Sequence, residues 1–152
     1  SQDAALTALR LSSGAPAAAL KLLQKESWAP RAQLCKAFSH ALDTRDWLSL
    51  ASTLNHDQAT ARLHWLASLL LDALKLQQSA SLLSNADVWP LVNTLANQLP
   101  GAKLRAILHD ICACREQLLT VSGLNRELVL TDLLLRIERY LQPGALLPAS
   151  HL

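Results

Sequence analysis

The sequence predicts an all-α protein, a helical bundle, and three observations predict it. Leucine and alanine dominate, while the 152 residues hold only 4 glycines and aromatic residues make up 4%, a composition that favours helices over sheets. Apolar residues recur at helical spacing, about 100° per residue, over most of the chain. Proline, glycine, asparagine and serine stand where that periodicity stops. Hydrophobic residues reach 51%, enough for a real core and too many for a disordered chain. The length fits one ordinary domain with a piece of a second.

Taken in order, Ser1 to Arg10 reads as a short helix that Ser1 or Asp3 can cap. Leu11 to Pro16 breaks it, and Pro16 suits the first turn of a second helix, Ala17 to Gln24. Lys25-Glu26-Ser27-Trp28 reads as a polar linker, with Ser27 capping a helix that carries Pro30 in its first turn and runs to about Ala41. Leu42 to Arg45 reads as a loop and Asp46 to Leu54 as a short helix.

Asn55-His56-Asp57 precedes a long helix, about Gln58 to Gln77. Its apolar residues lie on opposing sides: Leu63, Leu66, Ala67, Leu70 and Leu74 on one, Trp65, Leu69 and Leu76 on the other. His64, Ser68, Asp72 and Lys75 fill a polar seam. A helix apolar on two sides belongs in the middle of a bundle. Ser79 to Asn85 is a loop, Trp89 to Gln98 a short helix with Pro90 at its start, and Pro100-Gly101 leads into a helix over Ala102 to Leu119. The link Val121 to Leu124 is tight, so the last two helices form an antiparallel pair. The tail from Gln142 onward is expected to be extended.

The last helix organises the chain. Asn125 caps it, Glu127 sits where the helix dipole favours a negative charge, and Pro143-Gly144 stops it. Val129, Leu130, Leu133, Leu134, Ile137, Tyr140 and Leu141 form a broad stripe. Leu128 and Leu135 form a narrow one on the far side, with Asp132, Arg136 and Arg139 in the seams. A small monomer needs one apolar stripe per surface helix. The second is either further core or a contact with another subunit, and Leu128, Leu135, Asp132 and Arg139 are the candidate interface.

Other candidate sites have plain structural explanations. His109 and Cys112 share a helix face, but Cys114 projects about 140° away from His109, so the three do not chelate one ion, and no metal site is expected. Cys35 and His40 lie close in sequence without a strained nucleophile turn or an oxyanion hole, and Ser12-Ser13-Gly14 is no phosphate loop. No catalytic or cofactor-binding residue is expected. The scattered carboxylates read as solvated helix faces. Arg115 differs, because it projects into the apolar stripe of Leu104, Ile107, Leu108, Ile111 and Leu118. It must snorkel or find hydrogen-bond partners, and the bend at Asn125 is near enough to supply them. Arg115 and Asn125 are thus the candidate polar anchor.

A net charge of +2 argues against electrostatic binding of nucleic acid by this chain alone. Three cysteines with no secretory pattern suit a reducing, cytoplasmic setting. The longest apolar run, Leu63 to Leu76, is too short and too charged to span a bilayer. The first residue is serine, as expected of a processed or truncated chain.

The residues from Arg115 to Leu135 resemble the C-terminal signature of clamp-loader subunits. That signature is an arginine, a leucine-rich stretch, then Asn-x-x-Leu-x-Leu-x-x-Leu-Leu-Leu. Here these are Arg115, Leu118-Leu119, Asn125, Leu128, Leu130 and Leu133 to Leu135. Leu54-Asn55-His56, Ala61 to Ala67 and Leu141-Gln142-Pro143-Gly144 extend the resemblance over the whole chain, to the delta-prime branch of the family in bacterial DNA polymerase III, enterobacterial type.

The resemblance implies a helical collar domain over residues 26–152, preceded by the end of an AAA+ lid domain over residues 1–25. It implies a non-catalytic assembly role, packing against the collars of ATP-binding gamma/tau-type and delta subunits so that the complex loads a sliding clamp on primed DNA. DNA would be met only through the whole complex. The parent subunit would belong to the DNA polymerase III holoenzyme. The lid of ATP-binding members reads Gly-Ser-x-Arg-Asp-Ala-Leu; here the stretch is Gly14 to Leu20, and Ala17 replaces the nucleotide-sensing arginine. The family's zinc cysteines and arginine finger lie in its AAA+ module, and no residue of this sequence takes their role. The alternative is a free-standing helical protein that binds or regulates through a ligand held between helices.

Overall fold

A computed structural model of the chain describes residues 1–148, the side chains of residues 25 and 26 aside. Among the described residues, eight α-helices follow in order: α1 (Gln2–Leu11), α2 (Pro16–Leu23), α3 (Lys25–Thr44), α4 (Ala51–Leu54), α5 (Ala59–Gln77), α6 (Trp89–Gln98), α7 (Gly101–Thr120) and α8 (Arg126–Leu141). Two 3-10 turns, Trp47–Leu50 and Ala86–Val88, lie between them, and no strand occurs among the described residues.

The helix α5 is the centre of the bundle. Leu63, Leu66 and Leu70 from one of its stripes and Trp65 and Leu69 from the other are all buried. It packs on α7 and α6, and α7 packs in turn on α8. The other side of α8 meets α4 and the Trp47–Leu50 turn, which also rests on α3. Trp47 meets Phe38 of α3 edge-on, ring centroids 5.7 Å apart, a favoured aromatic geometry. The Gln77 side chain donates to the carbonyls of Ala96 and Leu99 at 2.9 and 2.8 Å, tying the open end of α6 to α5.

The helix ends follow their local chemistry. The Ser1 hydroxyl accepts from the Ala4 amide and caps α1, and Pro16 opens α2. The helices α7 and α8 run antiparallel, as the short link requires. Lys103 near the start of α7 donates to the Gln142 carbonyl beyond the end of α8. The hydroxyl of Tyr140 donates to Asp110 halfway along.

Three expectations are corrected. Lys25 to Trp28 is not a linker, and Ser27 is not a cap. Only Gln24, in extended conformation, separates α2 from α3, and the amides of Ser27 and Trp28 both bond to its carbonyl. Leu42 to Thr44 continue α3, because Ala41 and Leu42 still face the core; the left-handed Arg45, φ 61°, ends it. The stretch from Asp46 is first a 3-10 turn and only then helical. One side chain also departs from its assigned place. Asp72, placed on a polar seam, is fully buried and accepts N–H groups from Ser84 and Asn85, so a solvated helix face does not explain it. The expected extended tail is irregular backbone as far as residue 148; positions 149–152 lie outside the described residues.

Candidate subunit interface

The α7–α8 pair presents the surface that the last helix foreshadows. Asn125, with φ −76° and ψ 101°, stands outside the helix, and its Oδ1 accepts from the Leu128 amide at 3.2 Å. This cap fixes where the helix starts and hence which way each stripe faces. The broad stripe turns inward: Leu130, Leu133, Leu134 and Ile137 are buried, and Val129, Tyr140 and Leu141 are half-buried against the core. The narrow stripe turns outward, with Leu128 66% and Leu135 41% exposed.

Charges rim that stripe. Arg136 and Asp132 pair at 3.1 Å one helical turn apart, and Arg139 is exposed beyond them. A groove of about 330 Å³ lies between α7 and α8, with Leu128, Val129, Leu133 and Cys114 as apolar lining and Asp110, Gln117, Asp132 and Arg136 as polar lining. Burial, then the charge of Asp132, pushes the Cys114 thiol up to about 11. It is an inert packed thiol at neutral pH. An apolar centre with a charged rim is the anatomy of a protein–protein contact.

Sequence reasoning missed part of this surface. Leu119, Val121 and Leu124, at the α7–α8 link, are exposed. The available signal was a valine and a leucine in a link of the kind usually built from polar residues, just after Leu119 in the last turn of α7.

The anchor pair does not meet. Arg115 is half-buried, and its Nε donates to the Thr60 carbonyl at 3.1 Å, on α5 rather than at the bend. The bend has its own arginine: Arg126 donates to the Asn55 side chain at 2.8 Å and lies 3.4 Å from Asp57. Short sequence separation misled here, because α5 packs along the whole of α7 and stands closer. Arg115 also acts on His64, whose imidazole is held below its usual range by burial first and by this positive charge second.

The remaining candidates are dispersed. His109 and Cys112 are exposed while Cys114 is buried, and no trio of His, Cys, Asp or Glu able to hold a metal gathers among the described residues. Cys35 is buried and His40 exposed. Ala17 is exposed in the first turn of α2. A second concavity, about 640 Å³, lies where α3, α7 and α8 end or begin; Arg45, Lys103, Asp43 and Glu138 line it with mixed charge. No described helix is long and apolar enough to cross a membrane.

Residues 25–139 match the family model for the C-terminal part of the DNA polymerase III delta subunit. The chain belongs to this family. Residues 1–24 match a second model, the AAA+ ATPase lid domain of DNA polymerase III subunit delta', so α1 and α2 are a lid segment ahead of the family's C-terminal bundle. Among relatives, the chain is 57% identical over its whole length to DNA polymerase III subunit delta' of Escherichia coli strain K12, covering 46% of that protein. It is 50% identical over 93% of its length to the Yersinia pestis subunit of the same name, covering 42% of it. The chain thus spans less than half the length of the relatives it matches.

Proposed function

We propose that this chain is the non-catalytic assembly part of a clamp-loader delta-prime subunit. Its bundle packs against the corresponding helical domains of the ATP-binding gamma/tau-type and delta subunits, and the assembled complex loads the sliding clamp on primed DNA in the cytoplasm. Contact with DNA is made by the complex, not by this bundle. The observation that carries the reading is the outward stripe. Leu128 and Leu135 stay exposed on a helix whose other stripe already serves the core. Burying their exposed parts in a neighbouring subunit would contribute roughly 2–3 kcal/mol before association costs.

The test is Leu135→Asp in the full-length subunit, compared with Leu133→Asp at a buried position of the same helix. Leu135→Asp should keep its helicity by circular dichroism and lose complex formation with the ATP-binding subunit in gel filtration; Leu133→Asp should unfold. A folded Leu135→Asp that assembles like wild type would move the interface elsewhere. Ala17 supports the non-catalytic reading, since its methyl group has neither the reach nor the charge to contact a γ-phosphate. Micromolar binding of a fluorescent ATP analogue to this chain would contradict that.

A further inference from the structure

Besides the Leu11 backbone, which bonds to His64 of α5, and Leu22, which packs against the core, the lid segment is joined to the bundle in two places, and one of them is built around a buried arginine. The first is the covalent joint at Gln24, the one residue between α2 and α3. The second is where α1 rests on the Ala86–Val88 turn. The Thr7 hydroxyl of α1 accepts from the Asp87 amide at 3.4 Å, and Arg10 donates to the Leu83 carbonyl.

That turn has little helical structure of its own and is held from below. Arg31 of α3, 1% exposed, reaches it with a two-pronged fork. Its Nη1 donates to Asp87 Oδ2 at 2.6 Å, and its Nη2 donates to Asp87 Oδ1 at 3.1 Å and to Asn85 Oδ1 at 2.6 Å. The guanidinium also stacks 4.8 Å from the Trp28 ring centre. Asn85 is fixed in turn by Asp72 and Ser68 of α5. A buried pair of this kind adds little net stability compared with apolar packing, and its attested use is to select one arrangement among several. Bidentate pairing restricts direction as well as distance.

We propose that Arg31 is a positioning residue that sets the orientation of the α1–α2 lid segment on the bundle, by holding the Asn85–Asp87 turn on which α1 rests. Without the fork, Asp87 and the turn are held only through Asn85 on α5, the seat of α1 loosens, and the lid segment samples several orientations.

The experiment uses the chain as described, with spin labels at Ala5→Cys and Glu116→Cys, both exposed positions, in a Cys112→Ser background. Double electron–electron resonance should give one narrow distance for the parent. Arg31→Met, similar in volume and uncharged, should broaden it while circular dichroism keeps its helical signal. Amide exchange over residues 79–88 should rise by about tenfold or more, on the scale of losing a charge-assisted hydrogen bond. Arg31→Lys, which restores the charge without the fork, should fall between. Leu66→Ala, a core cavity far from the turn in sequence, should lower the thermal midpoint yet keep the narrow distance. An Arg31→Met protein with the parent distance, or a Leu66→Ala protein equally broadened, would overturn the proposal. If Arg31→Met does not fold, Thr7→Val with Arg10→Met cuts the same support from the α1 side, and an unchanged distance there overturns it as well.

Discussion

The backbone amide and the side-chain amide of Asn85 both donate to the same oxygen of Asp72, Oδ2, at 2.7 and 2.8 Å. Both residues are fully buried, and the other Asp72 oxygen takes the Ser84 amide at 2.9 Å. A carboxylate with three N–H donors is a satisfied buried charge. Asp72→Asn would turn one acceptor into a donor facing donors. The expected cost is about 2–4 kcal/mol, measured as a lower urea midpoint with an unchanged slope. A loss below measurement error would mean that water fills the role.

The three cysteines should differ sharply in reactivity. Cys112 is exposed, while Cys35 and Cys114 are buried. Burial raises both buried thiols, Cys114 to about 11. At pH 8 a thiol reagent should label Cys112 quickly and the other two only on unfolding. Fast labelling of a Cys35→Ser, Cys112→Ser variant, which keeps only Cys114, would show that the α7–α8 groove opens.

Tyr140 gives a pH signature. Burial, then its hydrogen bond to Asp110, pushes the phenol from about 10 to about 12. A raised acid pKa in the folded state favours the neutral phenol, so its contribution is complete below pH 10 and fades as pH rises toward 12. Tyr140→Phe should remove that fading and cost about 1 kcal/mol at neutral pH. Urea titrations at pH 8 and pH 11 check both, and parallel losses for the two proteins would assign the alkaline effect elsewhere.

Arg115→Ala should cost about 1–2 kcal/mol, less than the 3–5 kcal/mol of a fully buried charge pair. Its partner is one backbone carbonyl, and the side chain is half-buried. The same substitution removes a positive charge near His64, whose imidazole should then titrate at higher pH. Folding depends on that group with a definite sign: a depressed histidine supports the folded state above about pH 6.5, and the support is lost as pH falls. Arg115→Ala should flatten this loss. An NMR titration of His64 unchanged by the substitution would show that the two groups do not interact.

The sequence by itself determined the class, most of the helices and the direction of both stripes on α8. These are local or periodic properties. A cap such as Asn125, a stop such as Pro143 and a repeat near 3.6 residues act within a few positions of the chain. The outward placement of Leu128 and Leu135 follows from the same arithmetic once Leu130, Leu133 and Leu134 take the core. Tertiary structure decided what the polar side chains do. Arg31 meets Asp87 56 residues away, Arg115 meets Thr60 at 55, and Arg126 meets Asn55 at 71. No periodicity links such pairs. Asp72 looks like a seam residue in projection and becomes a buried acceptor only because the loop after α5 folds back over it. A buried polar group must find partners, but which partners depends on the packing of elements far apart in the chain.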